Sequence, residues 1–261
     1  MDKCGRNLHN LQEVVLAAKV GFFKIFPIHY LYLSNNKKRY MANLLIIESA
    51  TDICSVAMVK EGKLAGVREL LEPFKHSERL TLLIDELMKD CDLGYQDLAG
   101  VGVSEGPGSY TSLRVGTSVA KGLCFGLQIP MIALETLKGL AMGMQLENPE
   151  ANYYIPMIDA RRMEVYCGVF DSSLNVLSPV EAKVLEEDSF KEWEEKGQVV
   201  LGGNGAEKTR ELFSGRNFIF STVERCRAIF FEKEIQEKFS KNAFADLTYF
   251  EPYYLKEFML G

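Results

Sequence analysis

Two glycine-rich loops, a histidine at a helix start and a charged turn are the parts of this 261-residue chain that come nearest to chemistry. Gly106-Pro107-Gly108-Ser109 opens onto a helical pattern, and Gly202-Gly203-Asn204-Gly205 lies between a strand pattern and a helical one. Backbone N–H groups converge in such loops, and a helix N-terminus adds a favourable dipole, which suits a phosphate. Neither loop is a Walker motif, since no G-x-x-x-x-G-K-[ST] occurs, and neither reads G-x-G-x-x-G. Turn and cap roles are the stronger reading of both.

His76 begins a helical pattern, but a metal-binding helix needs a second ligand one turn on, and that position holds Leu80. Cys4, Cys54, Cys91, Cys124, Cys167 and Cys226 are scattered without a C-x-x-C pair, several inside apolar runs, as expected of inert thiols in a reducing compartment. Asp159, Arg161, Arg162 and Glu164 read as a charged turn between two strands, with a partner-facing ionic patch as the alternative. No nucleophile with a nearby general base can be assigned from spacing. The expectation is no catalytic, cofactor-binding or metal-binding residue.

The elements that hold these residues follow an α/β pattern. Asn43 to Glu48, Cys54 to Lys60 and Lys63 to Leu71 read as three strands, with Glu61-Gly62 as a hairpin turn; Pro73 breaks the pattern and Ser77 offers a cap. Leu80, Leu83, Ile84, Leu87 and Met88 then recur at helical spacing opposite Asp85, Glu86 and Lys89, and Leu82 widens the apolar surface. Ala99 to Ser104 is a small-residue strand, followed by a helix from the first glycine loop to Gly126. On that helix Ser112, Gly116 and Ala120 fall four apart beside a row of Val115, Val119 and Leu123. Such a smooth stripe lets another helix approach closely, in this chain or in another.

Pro130 to Glu135 reads as a strand and Thr136 to Met144 as a helix, with a boundary at Asn148-Pro149. Beyond it come strands near Tyr153 to Ile158, Val165 to Phe170 and Val199 to Leu201. Helices are expected near Glu186 to Lys196, Ala206 to Phe213 and Ala228 to Phe239. Two lobes, each a mixed sheet with helices, are the expected architecture.

Charge limits the partners. Of 30 Lys and Arg and 36 Asp and Glu, seven and two fall in Met1 to Tyr40, leaving 23 and 34 for the rest. An acidic body argues against a chain that neutralises phosphates unaided. The first forty residues are broken by Lys19, Lys24 and Pro27 and make a poor membrane span; they read as a basic arm or as sequence upstream of a native start at Met41. The expected organisation is a basic extension over 1–40, a first lobe over 41–148 and a second over 149–261.

The segments LLIIESATDICSVAM, HSERLTLLIDELM, GVGVSEGPGSYTSLRVGTSVAKGL, IPMIDARRMEVYCGVF and LGGNGA resemble the TsaB (YeaZ) family, dimerisation subunits of the bacterial tRNA threonylcarbamoyladenosine machinery. The match runs from about Met41 to PYYLKE, and Gly-Pro-Gly-Ser-aromatic-Thr-x-Leu-Arg is its most specific part. Three departures stand out. Family members commonly carry Asp where this chain has Glu48, and Phe and Gly where it has Tyr110 and Ser112.

The resemblance implies an actin-like (ribonuclease H-like) two-lobed ATPase fold, degenerate, with mixed sheets flanked by helices. It implies a non-catalytic subunit that heterodimerises with the catalytic TsaD and supports threonylcarbamoyl transfer to the tRNA adenosine beside the anticodon. TsaD carries a His-x-x-x-His metal motif on the equivalent first helix, whose second histidine corresponds to Leu80 here. The implied contact surface is the first and second helices: Leu80, Leu83, Ile84, Leu87, Met88, Ser109, Tyr110, Ser112, Leu113, Gly116, Val119, Ala120 and Leu123. The implied partners are TsaD, the small ATPase TsaE, a second copy when the chain is alone, and tRNA only through the complex, in the cytoplasm and without a membrane. No cofactor is expected, with room left for a nucleotide at a shared subunit boundary. The rival readings are an active kinase or ATPase of the same fold using the glycine loops and Asp52, and, weakest, a peptidase.

Overall fold

The computed structural model describes residues 42–72 and 75–256. The expectations for the basic extension over 1–40, a start at Met41 and the break at Pro73 lie outside the described residues.

Two five-stranded sheets share one plan. The first comprises β1 (Leu44–Glu48), β2 (Cys54–Lys60), β3 (Lys63–Leu70), β4 (Gly100–Gly106) and β5 (Met131–Glu135), in the order β3-β2-β1-β4-β5. The second comprises β6 (Tyr153–Asp159), β7 (Glu164–Asp171), β8 (Val176–Val184), β9 (Val199–Gly202) and β10 (Phe218–Phe220), in the order β10-β9-β6-β7-β8. In each, a three-stranded antiparallel meander is extended by two parallel strands. The two mixed sheets expected from the sequence are present, and the second repeats the topology of the first.

The helices are α1 (His76–Asp90), α2 (Tyr110–Leu127), α3 (Thr136–Glu147), the single turns α4 (Lys191–Glu194) and α5 (Thr209–Leu212), and α6 (Glu232–Ser240). α1 packs on β2 and β3, and α2 on β4 and β1, so both cover one face of the first sheet and touch each other. α3 reaches strands of both sheets, while α6 and the 3-10 turn Ala228–Phe231 cover the other face of the first sheet.

Strand alternation sorts β1 and β4 between these faces. Leu45, Ile47, Val101 and Val103 join the core beneath α1 and α2. Gly100 and Gly102 point the other way: a Cβ on Gly100 would meet the Phe239 ring at 3.3 Å, and one on Gly102 would meet Ile235 and Leu134 at 2.7 Å. The small residues of this strand thus make room for α6.

Three differences from the sequence reading have physical causes. The helix expected over Glu186 to Lys196 is one turn, and so is that over Ala206 to Phe213. β8 was not foreseen: it is an edge strand containing Pro179, with Val176 and Val184 exposed, so it lacks a clean buried alternation. The segment 228–250 leaves the second lobe and returns to the first, where Ala245 bridges Met131 and Leu247 and Phe250 join the core under α1 and α2.

Candidate functional site

The α1–α2 face is the candidate contact surface, and it divides by burial. Leu80, Leu83, Ile84, Leu87 and Met88 lie buried against this chain's own sheet, as do Ser112, Leu113, Gly116 and Ala120. These nine, expected at the interface, are buried within their own lobe. The reason is packing. A helix buries its most apolar and smoothest stripe against the nearest partner, here the strand beside it. A Cβ added to Gly116 would stand 2.1 Å from Ser49 Oγ, and Ser49 Oγ donates to the Ser112 carbonyl at 3.0 Å. The stripe packs on Ser49 and Ile47 at the end of β1.

Of the other four, Ser109 is exposed and Tyr110, Val119 and Leu123 are half-buried. The rest of the outer surface is made by residues not foreseen. On α2, Thr111, Arg114, Ser118, Gly122, Phe125 and Gly126 are exposed, and nothing lies within 4 Å of a Cβ placed on Gly122 or Gly126. Phe125 is 79% exposed, and on α1 Leu82 is 48% exposed between Ser77, Glu78, Thr81 and Glu86. The outward stripe Ser118-Gly122-Gly126 was legible at the same four-residue spacing as the inward one. What spacing withheld was the choice between them.

The glycine loops use their backbone groups internally. Gly106, with φ +112°, donates its N–H to Thr136 Oγ1 at 3.1 Å, and the Ser109 N–H goes to the Ala50 carbonyl at 2.7 Å. Ser109 is the N-cap of α2, its hydroxyl accepting from the Ser112 N–H. The second loop donates from Gly203 to the Val223 carbonyl at 2.7 Å and from Gly205 to the Met157 carbonyl at 3.0 Å. Asn204 Oδ1 accepts from the Asp159 N–H at 2.9 Å. These are turns and caps in which the Gly106, Ser109, Gly203 and Gly205 donors already have partners.

The charged turn between β6 and β7 is a hairpin with Arg161 and Arg162 in the left-handed region, and Lys208 binds Asp159 and the Arg162 and Glu164 carbonyls beneath it. Lys256 pairs with Glu164 from the C-terminal segment. Asp52 is held bidentate by Arg225, with Nε to Oδ1 at 2.9 Å and Nη2 to Oδ2 at 3.1 Å.

The residue that sequence reasoning treated only as a departure is chemically the most unusual. Glu48 ends β1 fully buried; Oε1 accepts from the Ala50 N–H at 2.6 Å, and Oε2 has no hydrogen-bond partner among the described residues. Burial pushes the carboxyl up to about 7, against weaker lowering by the Ala50 N–H, Cys226 and Ser104. Cys226 lies beside it, fully buried, its thiol pushed well up by burial and then by the Glu48 charge. Cys54, Cys124 and Cys167 are buried too, each pushed up to about 12 by desolvation. Thiols held this far from ionisation are poor nucleophiles and metal ligands. Leu80 is 1% exposed in the core, out of reach of any ligand at the surface.

Comparisons with known proteins give a consistent result. A family model described as tRNA N6-adenosine threonylcarbamoyltransferase (TsaD) matches residues 72–259. The chain is 35% identical over 123 residues to the tRNA threonylcarbamoyladenosine biosynthesis protein TsaB of Haemophilus influenzae, covering 47% of this chain and 51% of that protein. With TsaB of Bacillus subtilis it shares 32% identity over 161 residues, covering 60% and 69%. The match thus spans about half the length of the first of these relatives. The solved structure of YeaZ from Pseudomonas aeruginosa superimposes with a TM-score of 0.73 at 23% identity, over 82% of this chain and 100% of that one. That likeness shows the fold, and the two-lobed actin-like architecture expected from the sequence is the one found.

Proposed function

Because this chain belongs to the TsaB (YeaZ) family, within the wider group that the threonylcarbamoyltransferase model describes, we propose that it is a non-catalytic subunit of tRNA threonylcarbamoyladenosine biosynthesis that heterodimerises with a TsaD-like catalytic chain. The contact is the outer face of α1 and α2, centred on Phe125 and Leu82 and floored by Ser118, Gly122 and Gly126. The inward residues Leu83, Ile84, Gly116 and Ala120 act one layer below, as the floor that holds both helices in place.

The observation that carries this reading is Phe125, 79% exposed on a well-capped helix beside two glycines with open space above them. Burying a phenylalanine side chain is worth about 1.5–3 kcal/mol, which is the scale of an interface hot spot. Small residues around it allow a partner helix to come close. Internal use of the loop donors and pairing of Asp52 with Arg225 support a supporting role over an active kinase or ATPase. The face is self-complementary in principle, so a homodimer forms when the partner is missing. A TsaE-like ATPase and tRNA, in the cytoplasm, are engaged through the assembled pair, in keeping with the acidic body of the chain.

The test is co-purification of the TsaD-like protein from native cells with the full chain and with Leu82→Glu plus Phe125→Glu. Loss of the partner and of tRNA threonylcarbamoylation with the variant supports the reading. Undiminished recovery would remove its basis.

A further inference from the structure

Four consecutive residues stitch the chain to the first sheet as it returns from β10. Arg225 grips Asp52, Arg227 grips Glu69 with Nε to Oε1 and Nη2 to Oε2 both at 2.7 Å, and the Ala228 N–H donates to Ser55 Oγ at 3.1 Å. Between them Cys226 enters the interior and rests against Glu48, walled by α3, where a Cβ on Gly139 would come within 2.9 Å of its sulphur. The strap 225–228 therefore joins the two lobes through bonds to β2, β3 and the β1–β2 turn, and its buried Cys226 side chain lies against a buried carboxyl.

Among the described residues, no positive charge acts on that carboxyl. From β2 the titratable neighbour is Cys54, from β4 the hydroxyl of Ser104, and from the strap Cys226. Beyond Cys226 lies Glu234 of α6, 3% exposed and paired with Lys238 at 3.2 Å and Lys138 at 3.4 Å. The two arginines of the strap are committed to Asp52 and Glu69. Among the described residues Glu48 Oε2 has no donor of normal geometry, although the Cys226 and Ser104 side chains lie beside the carboxyl.

We propose that the strap is a proton-controlled latch: with Glu48 protonated it seals the join between the lobes, and with Glu48 ionised it loosens so that water can reach the carboxylate. A buried carboxylate lacking a counter-charge is strongly disfavoured, and Cys226 of the strap is one of the side chains packed against it. Proton release from the carboxyl goes to solvent, and no other group changes its charge. The shift of Glu48 to about 7 places the switch near neutrality.

The test is amide hydrogen exchange across the full chain between pH 6 and 8.5, corrected for intrinsic exchange, together with NMR titration of the Glu48 carboxyl. Protection of the Ala228 amide should fall by up to about tenfold per pH unit as pH rises toward the Glu48 midpoint and level off above it, while that of Ile46 in the centre of β1 holds. In Glu48→Gln the Ala228 protection should not change with pH. Equal loss in Glu48→Gln, equal loss at Ile46, or a midpoint for Ala228 that differs from that of the carboxyl would each overturn the latch. The last comparison needs only the unaltered protein, so poor folding of the variant leaves the test intact. None of these outcomes depends on whether a TsaD-like partner binds.

Discussion

Gly116 and Ser49 meet so closely that no side chain fits between them: a Cβ on Gly116 would stand 2.1 Å from Ser49 Oγ and 3.1 Å from Ser49 Cβ. Contact at that range fixes which side of α2 faces inward, and with it the surface left for a partner.

Gly116→Ala should therefore destabilise the chain by about 1–3 kcal/mol, the clash outweighing a helix-propensity gain of up to about 1 kcal/mol. Gly122→Ala has open space and should hold or raise stability by up to about 1 kcal/mol. Urea unfolding of the two variants checks this, and equal effects would mean the inward face is misassigned.

The returning C-terminal segment makes the first lobe a composite. Phe231, Ile235 and Phe239 are buried against the first sheet and α3, filling the space that Gly100, Gly102 and Gly139 leave open. A fragment of residues 42–148 should lack cooperative unfolding, whereas 42–256 should unfold in one transition. Calorimetry of both decides it, and a sharp transition from the shorter piece would contradict the composite lobe.

Glu48 sets a pH dependence whose sign is fixed. Its folded value of about 7 exceeds the ordinary 4.5, so between those values the folded chain keeps a proton that the unfolded chain has lost. Its contribution is then fully present below about pH 4.5 and declines as pH rises through the window to about 7, by an amount on the order of 3 kcal/mol. Glu48→Gln should lack this decline and be more stable than the unaltered chain at pH 8. Chemical denaturation at pH 5 and pH 8 measures the difference, and parallel pH profiles would refute it.

Much of the fold was legible because periodicity reports burial directly. Cys54 to Lys60 was placed at its observed bounds, and Leu80, Leu83, Ile84, Leu87 and Met88 do lie on one face of α1. The same signal misled at the surface. Apolar spacing identifies a face that must be covered without naming what covers it, and here the chain's own sheet does so. Phe125, a single aromatic among glycines, carries no period that marks it as a contact residue. β8 hid behind Pro179 and an exposed edge. The contact of Glu48 with Cys226 joins residues on either side of the second lobe, and only the path of the strap brings them together.

The outer face of α1 and α2 is most directly tested by titration calorimetry of the purified full chain against its TsaD-like partner. Phe125→Glu should weaken binding by about 2 kcal/mol or more, roughly thirtyfold, because a hot-spot side chain is lost and a charge is placed in the contact. Its unfolding free energy should stay within about 0.5 kcal/mol of that of the unaltered chain, since the side chain is exposed. Unchanged affinity with Phe125→Glu, at unchanged stability, would contradict the proposed contact.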